Sequence, residues 1–380
     1  MKLRVNSREI LGWLLVINLL ITCVAALHIR LFALYTFVAL PSNIVLAILY
    51  FVLRGKQLNG KLIGAWALIV LYFIFVSAIN PEGSVGSVLV ISLSMLSFIE
   101  IAEADINIDM RNVVRKSLII IEVLLFISSI SFKNDWVYAR GTAINPNTIG
   151  FFLQLIPMIY NLLDNRHTRK NALITIAMVG LSAVGMVYCR SRMTLVSLGV
   201  YFILAYIPNK MISNKRYIFL VLLVIVIGLA IPVVYLYLYR SGYNARVLGK
   251  NIYTGREYLW GIVLDKLAES KIIMFFGAGA HAAEGLNLHN NYLDILFNFG
   301  VIGFSIYYLF YVKIFSQCAK IIRDIEIKRG LAMFVSFFLV LGWTETTTLW
   351  APMFVGMNLG IGMAYNKSRI YIGDFLLSDT

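Results

Sequence analysis

The stretch 217–238, YIFLVLLVIVIGLAIPVVYLYL, contains no charged residue. A helix crosses the hydrocarbon core of a bilayer with about 20 apolar residues, so this stretch alone predicts a transmembrane span. Working outward from it, eleven further stretches qualify: 9–27, 31–53, 62–79, 85–102, 117–132, 149–163, 171–189, 193–208, 291–312, 330–348 and 350–365. The shorter ones, such as 149–163, need neighbouring helices or flanking residues to complete the crossing. The first is followed at once by another span, and its CVAAL end is a weak cleavage site, so it reads as a span rather than a cleaved signal. No fixed-period repeat is visible, and no soluble domain fits between spans. The expectation is an all-α integral membrane protein, a single polytopic domain over 1–380 with twelve transmembrane helices.

Composition agrees. The chain has 380 residues, of which 60% are hydrophobic and 14% charged, with a mean hydropathy of +0.82. Soluble domains carry roughly 45–50% apolar and about 25% charged residues. The chain is too apolar to be soluble, disordered or a nucleic-acid binder, in spite of its net charge of +14. Three cysteines exclude a disulfide framework, and four histidines leave little room for a metal cluster.

The positive charge has a direction. With the N-terminus inside, the cytoplasmic segments hold 22 of the 33 basic residues, and the bias holds along the whole chain, which puts both termini in the cytoplasm. The longest connection, 239–290, is then external, and helical pattern in 255–270 suits a cap on the membrane surface. Arginines on the external side are the exceptions: Arg140 in 133–148, Arg190 and Arg192 in the turn CRSRM, and Arg240, Arg246 and Arg256 in the long loop. External arginines in a chain that keeps its charge inside suggest an anion, because a guanidinium stays charged and grips phosphate with two parallel hydrogen bonds. Arg190 and Arg192 are two residues apart. On a helix that is about 200°, so the two would not face one cavity, and Arg192 is the preferred member.

Three strings lie on that side: ARGTAINPNTIG at 139–150, SRMTLVSL at 191–198, and a long run from GREYLW at 255–260 through FFGAGAH at 275–281 to HNNYLDILFNFGVIGF at 289–304. His289 stands where the loop meets a span. An imidazole there can take a proton from a hydroxyl nucleophile. An anion of the phosphate kind needs charge stabilisation, and arginines can supply it without a metal. His281 offers the same chemistry but follows a Gly-Ala-Gly-Ala run. Asn147 after Pro146 is a site candidate or a turn residue. Gly277 and Gly279 read as helix breakers. Within the spans, Glu345 in WTETTTLW is a further site candidate whose expected partner is an external arginine, since intramembrane carboxylates are costly. Glu122 reads as a protonated structural residue, and Trp343 and Trp350 as interfacial belt residues. There is no external DxD-like or HExxH-like string, so no metal site is expected.

In order and sidedness these strings resemble the O-antigen polymerase and O-antigen ligase superfamily over roughly 135–305; the most specific part is the His289-Asn290 pair followed by a helix start and a Gly-hydrophobic-hydrophobic-Gly step. The resemblance implies an inverting glycosyltransferase of the bacterial inner membrane that uses an undecaprenyl-pyrophosphate-linked glycan, with its site on the external face. It implies His289 near the acceptor hydroxyl and Arg192 and Arg256 at the pyrophosphate, with Arg140, Arg190, Asn147, Asn290, Glu345 and His281 as further candidates. It implies no cofactor, no nucleic acid, and chain-length regulator and flippase proteins as partners. Polymerase is the leading expectation and ligase the alternative. A transporter is disfavoured because Pro41, Pro157 and Pro232 interrupt spans without paired halves.

Overall fold

A computed structural model describes residues 6–25, 27, 40–55, 58–131, 146–211, 213–248, 250–253, 255–280, 288–345 and 358–370. The described residues are all-α apart from a small ribbon. Its helices are α1 (Ser7–Ala25), α2 (Leu40–Arg54), α3 (Gly60–Ile79), α4 (Val85–Glu103), α5 (Ile108–Ile130), α6 (Pro146–Leu162), α7 (Arg169–Tyr188), α8 (Arg192–Tyr206) and α9 (Asn214–Arg240). After α9 come the two-residue strands β1 (Arg246–Val247) and β2 (Lys250–Asn251), paired antiparallel with Arg246 opposite Asn251. Then follow α10 (Arg256–Glu269), α11 (Lys271–Phe276), α12 (Asn291–Ala319) and α13 (Ile325–Met333), which runs on as π-helix through Val340 and a 3-10 turn to Trp343. Residues 358–370 form α14.

Among the described residues, α1, α3, α4, α7, α9 and α12 are each long and apolar enough to cross a bilayer, and α2 and α8 are shorter apolar helices. The chain is a multi-pass membrane protein. The expected spans fall on these elements with shifted ends. The span at 117–132 is the second half of α5, whose first turns carry Arg111, Arg115 and Lys116. The span at 291–312 continues to Ala319. Parts of the spans at 31–53, 330–348 and 350–365 lie outside the described residues.

Several helices start where a short polar side chain caps them. Asn59, Ser84, Thr168 and Ser213 accept hydrogen bonds from backbone N–H groups of α3, α4, α7 and α9, satisfying donors the helix itself leaves open. Burial sorts the helices into layers. In α6 every residue except Asn147 is buried, as is the whole π-helical stretch Phe334–Val340. These two form the centre of the bundle, which is why α6 can be short. Helices α3, α7 and α9 bury one stripe and expose the rest, as lipid-facing helices do.

One end of the bundle is tied by buried charge. Arg54 Nε donates to Glu103 at 3.1 Å. Arg329 of α13 donates to the carbonyls of Asn161 and Asp164 at 2.8 and 3.0 Å, closing the C-terminal end of α6. Arg115 lies over the Tyr160 ring and 3.5 Å from Asp164. The opposite end carries the ribbon, α10 and α11.

Candidate functional site

At the ribbon end, a cavity of about 210 Å³ opens between the first turns of α6 and α8, the end of α9, the ribbon, α10 and the end of the α13 rod. Arg190, Arg192, Arg256, Glu345, Asn147, Tyr235 and Thr344 line it, with Phe151, Met193 and Ile252 as its apolar wall.

The turn that delivers Arg190 explains a departure from the helical-wheel expectation. The N–H of Ser191 donates to Met186 O and that of Arg190 to Val187 O, both at 3.0 Å. This is a Schellman end to α7, in which the residue after the cap turns left-handed and is usually glycine. Here it is Arg190, at φ +52°. Helix α8 begins only at Arg192, so the two arginines do not share a helix and the angular argument against Arg190 fails. Both line the cavity. A left-handed conformation costs a non-glycine residue about 1–2 kcal/mol, a strain that points to use of the side chain.

Arg192 Nη2 donates to Asn251 O at 3.2 Å, which joins α8 to the ribbon. Arg256 opens α10 behind Gly255, whose φ of +90° lets the chain turn into the helix. Its Nη2 donates to Glu345 Oε1 at 2.9 Å. The other carboxylate oxygen, Oε2, is 3.0 Å from His289 Nδ1. A carboxylate accepts only, so the contact selects the imidazole tautomer with the proton on Nδ1 and the lone pair on Nε2. Glu345 therefore bridges a guanidinium and an imidazole, as its expected arginine pairing requires. His289 itself does not line the cavity. It stands one hydrogen bond beside it, its side chain about a third exposed (34%), and its backbone is also left-handed, at φ +50°.

Asn290 is a framework residue. Its Oδ1 accepts from Leu293 N at 2.7 Å, capping α12, and its Nδ2 donates to Trp343 O at 2.8 Å and Gly228 O at 3.3 Å. It holds α12, α9 and the α13 rod together, and so places its neighbour His289 against Glu345. On the other side, Trp260 of α10 donates its indole N–H to Leu288 O. Helix α10 thus carries Arg256 into the cavity and fixes the residue before His289. Trp343 is turned inward, with Nε1 on Val224 O at 3.0 Å, which corrects its expected place in an interfacial belt. Arg140, His281 and Trp350 lie outside the described residues.

Sequence reading missed two groups. Tyr235 donates to Ile252 O at 2.9 Å and anchors the loop after the ribbon. Thr344 Oγ1 is buried in the cavity lining and has no hydrogen-bond partner among the described residues. Tyr235 lies inside the apolar run 217–238 and Thr344 inside WTETTTLW, and neither residue type stands out there. Thr344 adjoins Glu345, and that adjacency is the only signal it had.

The cavity gathers three guanidiniums around one carboxylate, so it suits an anion with several acceptor oxygens. Matched against protein-family models and against curated proteins, the chain finds no match in either comparison.

Proposed function

We propose that the chain is a membrane glycosyltransferase that moves a glycan from a polyprenyl pyrophosphate to a sugar hydroxyl of a second lipid-linked glycan, that is, a repeat-unit polymerase. The observation that carries this is a cavity lined by Arg190, Arg192 and Arg256, with Arg256 joined through Glu345 to His289. The pyrophosphate occupies the cavity, and the three arginines take up the charge that develops as it leaves. The apolar wall of Phe151, Met193 and Ile252 borders the route of the polyprenyl chain. The acceptor hydroxyl approaches from the exposed side of His289. Its oxygen bonds to the anomeric carbon while the carbon–oxygen bond to pyrophosphate breaks, with inversion. The hydroxyl proton passes to His289 Nε2, and Glu345 stabilises the resulting imidazolium through Nδ1.

This reading includes a twelve-span topology with both termini in the cytoplasm of a bacterium and the cavity on the external face. The alternation of basic residues supports it: Arg54, Arg111, Arg115 and Arg329 gather at the end of the bundle away from the cavity. The test is reconstitution. Purified protein is given an undecaprenyl-pyrophosphate-linked repeat unit, with and without lipid A–core. Lengthening of the lipid-linked glycan supports the polymerase. Transfer to lipid A–core alone makes the protein a ligase with the same donor chemistry. Absence of any transfer, with the donor bound, overturns glycosyl transfer.

A further inference from the structure

We propose that Lys271–Ala280 is a re-entrant segment, one that dips into the bilayer leaflet on the cavity side and presents Ile272, Phe275 and Phe276 to lipid chains. The loop 239–290 is then not wholly a surface cap.

Three separate rulers give the depth. Tyr72 of α3 donates its hydroxyl proton between Phe276 O, at 3.2 Å, and Phe299 O, at 3.1 Å. Tyr72 precedes the helix end at Ile79 by seven residues, about 10 Å at 1.5 Å per residue, and helical side chains lean toward the N-terminus, which takes the hydroxyl deeper still. The second ruler is α12, which is broken at Gly300 (φ +66°). A Cβ on Gly300 would lie 2.3 Å from Phe275 O, so the two backbones touch there. Gly300 is nine residues into α12, about 13 Å from its start. The third is α11 itself. Ser270, before its first residue, lines one cavity with Asn80, Pro81 and Glu82 of the α3–α4 turn, with Ile273, Ala278 and Phe297 further in, so the helix starts beside that turn. From Lys271 to Phe276 it descends about 8 Å. The chain then climbs back through 277–280, and Ser84 N donates to Ala280 O at 2.8 Å, again at the α3–α4 turn.

Irregular backbone survives at membrane depth only where protein satisfies its polar groups. That condition is met for every N–H of 277–280. Gly277 N donates to Ile273 O, Ala278 N to Phe297 O and Gly279 N to Asn298 O, at 2.8, 2.9 and 2.9 Å, and Ala280 N donates to Ser77 Oγ at 3.0 Å. The last two carbonyls are acceptors that the break in α12 leaves open. Gly277 is needed for this approach: its Cβ would meet Asn298 O at 2.3 Å, and its φ is +94°. The outer side of the segment is apolar and uncovered, with Ile272 73%, Phe275 46% and Phe276 49% exposed. At that depth the partner that covers them is acyl chain. Nothing in this placement depends on which reaction the cavity performs.

Depth-dependent quenching tests it on the full chain in phosphatidylcholine–phosphatidylglycerol vesicles. Cys23, Cys189 and Cys318 are buried, so an environment-sensitive fluorophore is attached to Ile272→Cys, Phe275→Cys and Phe276→Cys, with the exposed Asp265→Cys on α10 as reference. The three segment positions should lose quenching by aqueous iodide, gain quenching by lipid-borne doxyl groups, and show blue-shifted emission, with Phe276→Cys deepest. Should one variant fail to fold, the other two carry the same reading. Iodide quenching of Phe275→Cys and Phe276→Cys equal to that of Asp265→Cys overturns the proposal.

Discussion

At the scale of residues, the cavity and the imidazole beside it make separable demands. His289→Ala removes the proposed base and leaves the arginines in place. Positioned general-base catalysis contributes about 10²–10⁴-fold, so single-turnover transfer should fall by that factor while donor binding holds. A variant that keeps wild-type turnover, set beside His281→Ala that loses it, would move the base to His281. Arg190 makes the opposite demand on stability. Its left-handed backbone (φ +52°) suits glycine, so Arg190→Gly should melt no lower than the parent, with a gain of up to about 1 kcal/mol. Donor affinity should nevertheless drop, because one of the three guanidiniums lining the cavity is gone. Unchanged affinity would reduce Arg190 to a turn residue. For Arg192, lysine should restore affinity only in part, since a point charge lacks the planar fork.

Among the elements, the break in α12 is the feature on which most depends. Gly300→Ala puts a Cβ against Phe275 O in a backbone region that disfavours side chains. Strain and overpacking together should cost about 2–4 kcal/mol, seen as a lower melting temperature in detergent. A melt within error of the parent would mean that α11 does not hold the close approach described. The resemblance string was informative here for a reason that is not catalytic. Gly300 is the kink, and Gly303 packs under Tyr72 and Phe73, beside the stacked rings of Phe73 and Phe299. The glycines at 277 and 279, read from sequence as helix breakers, flank the point where the segment donates to the carbonyls of α12, Ala278 N to Phe297 O and Gly279 N to Asn298 O.

For the whole molecule, sidedness and charge carry the predictions. Reporter fusions after Arg166 and Asn214 should read as cytoplasmic, and one after Asn251 as external. A cytoplasmic signal at Asn251 would put the cavity on the wrong face for a lipid-linked glycan and sink the proposed function. If arginines alone balance the pyrophosphate, transfer should persist in excess chelator. Loss on chelation, restored by a divalent cation, would require a metal in the mechanism.

The class of the protein was determined by sequence alone, because lipid imposes a local rule. Each span must be apolar enough on its own, and that is countable along 217–238 or 62–79 without knowing what packs on what. The same local reading singled out Arg192, Arg256 and Glu345, since charge placed against the chain's basic bias or inside a span is costly wherever the helix goes. His289 was singled out instead by its place at the loop–span junction and by the string that carries the resemblance. Only the tertiary structure decided what those groups do to one another. Whether Arg190 shares the cavity depends on a left-handed turn, not on helical spacing. Asn290 became a cap and brace because α9 and the α13 rod supply its acceptors, Gly228 O and Trp343 O. The buried pairs Arg54–Glu103 and Arg115–Asp164 read in sequence as loop charge. The bridge from Arg256 through Glu345 to His289 joins residues far apart in the chain. Such contacts follow from packing, and no periodicity or composition encodes them.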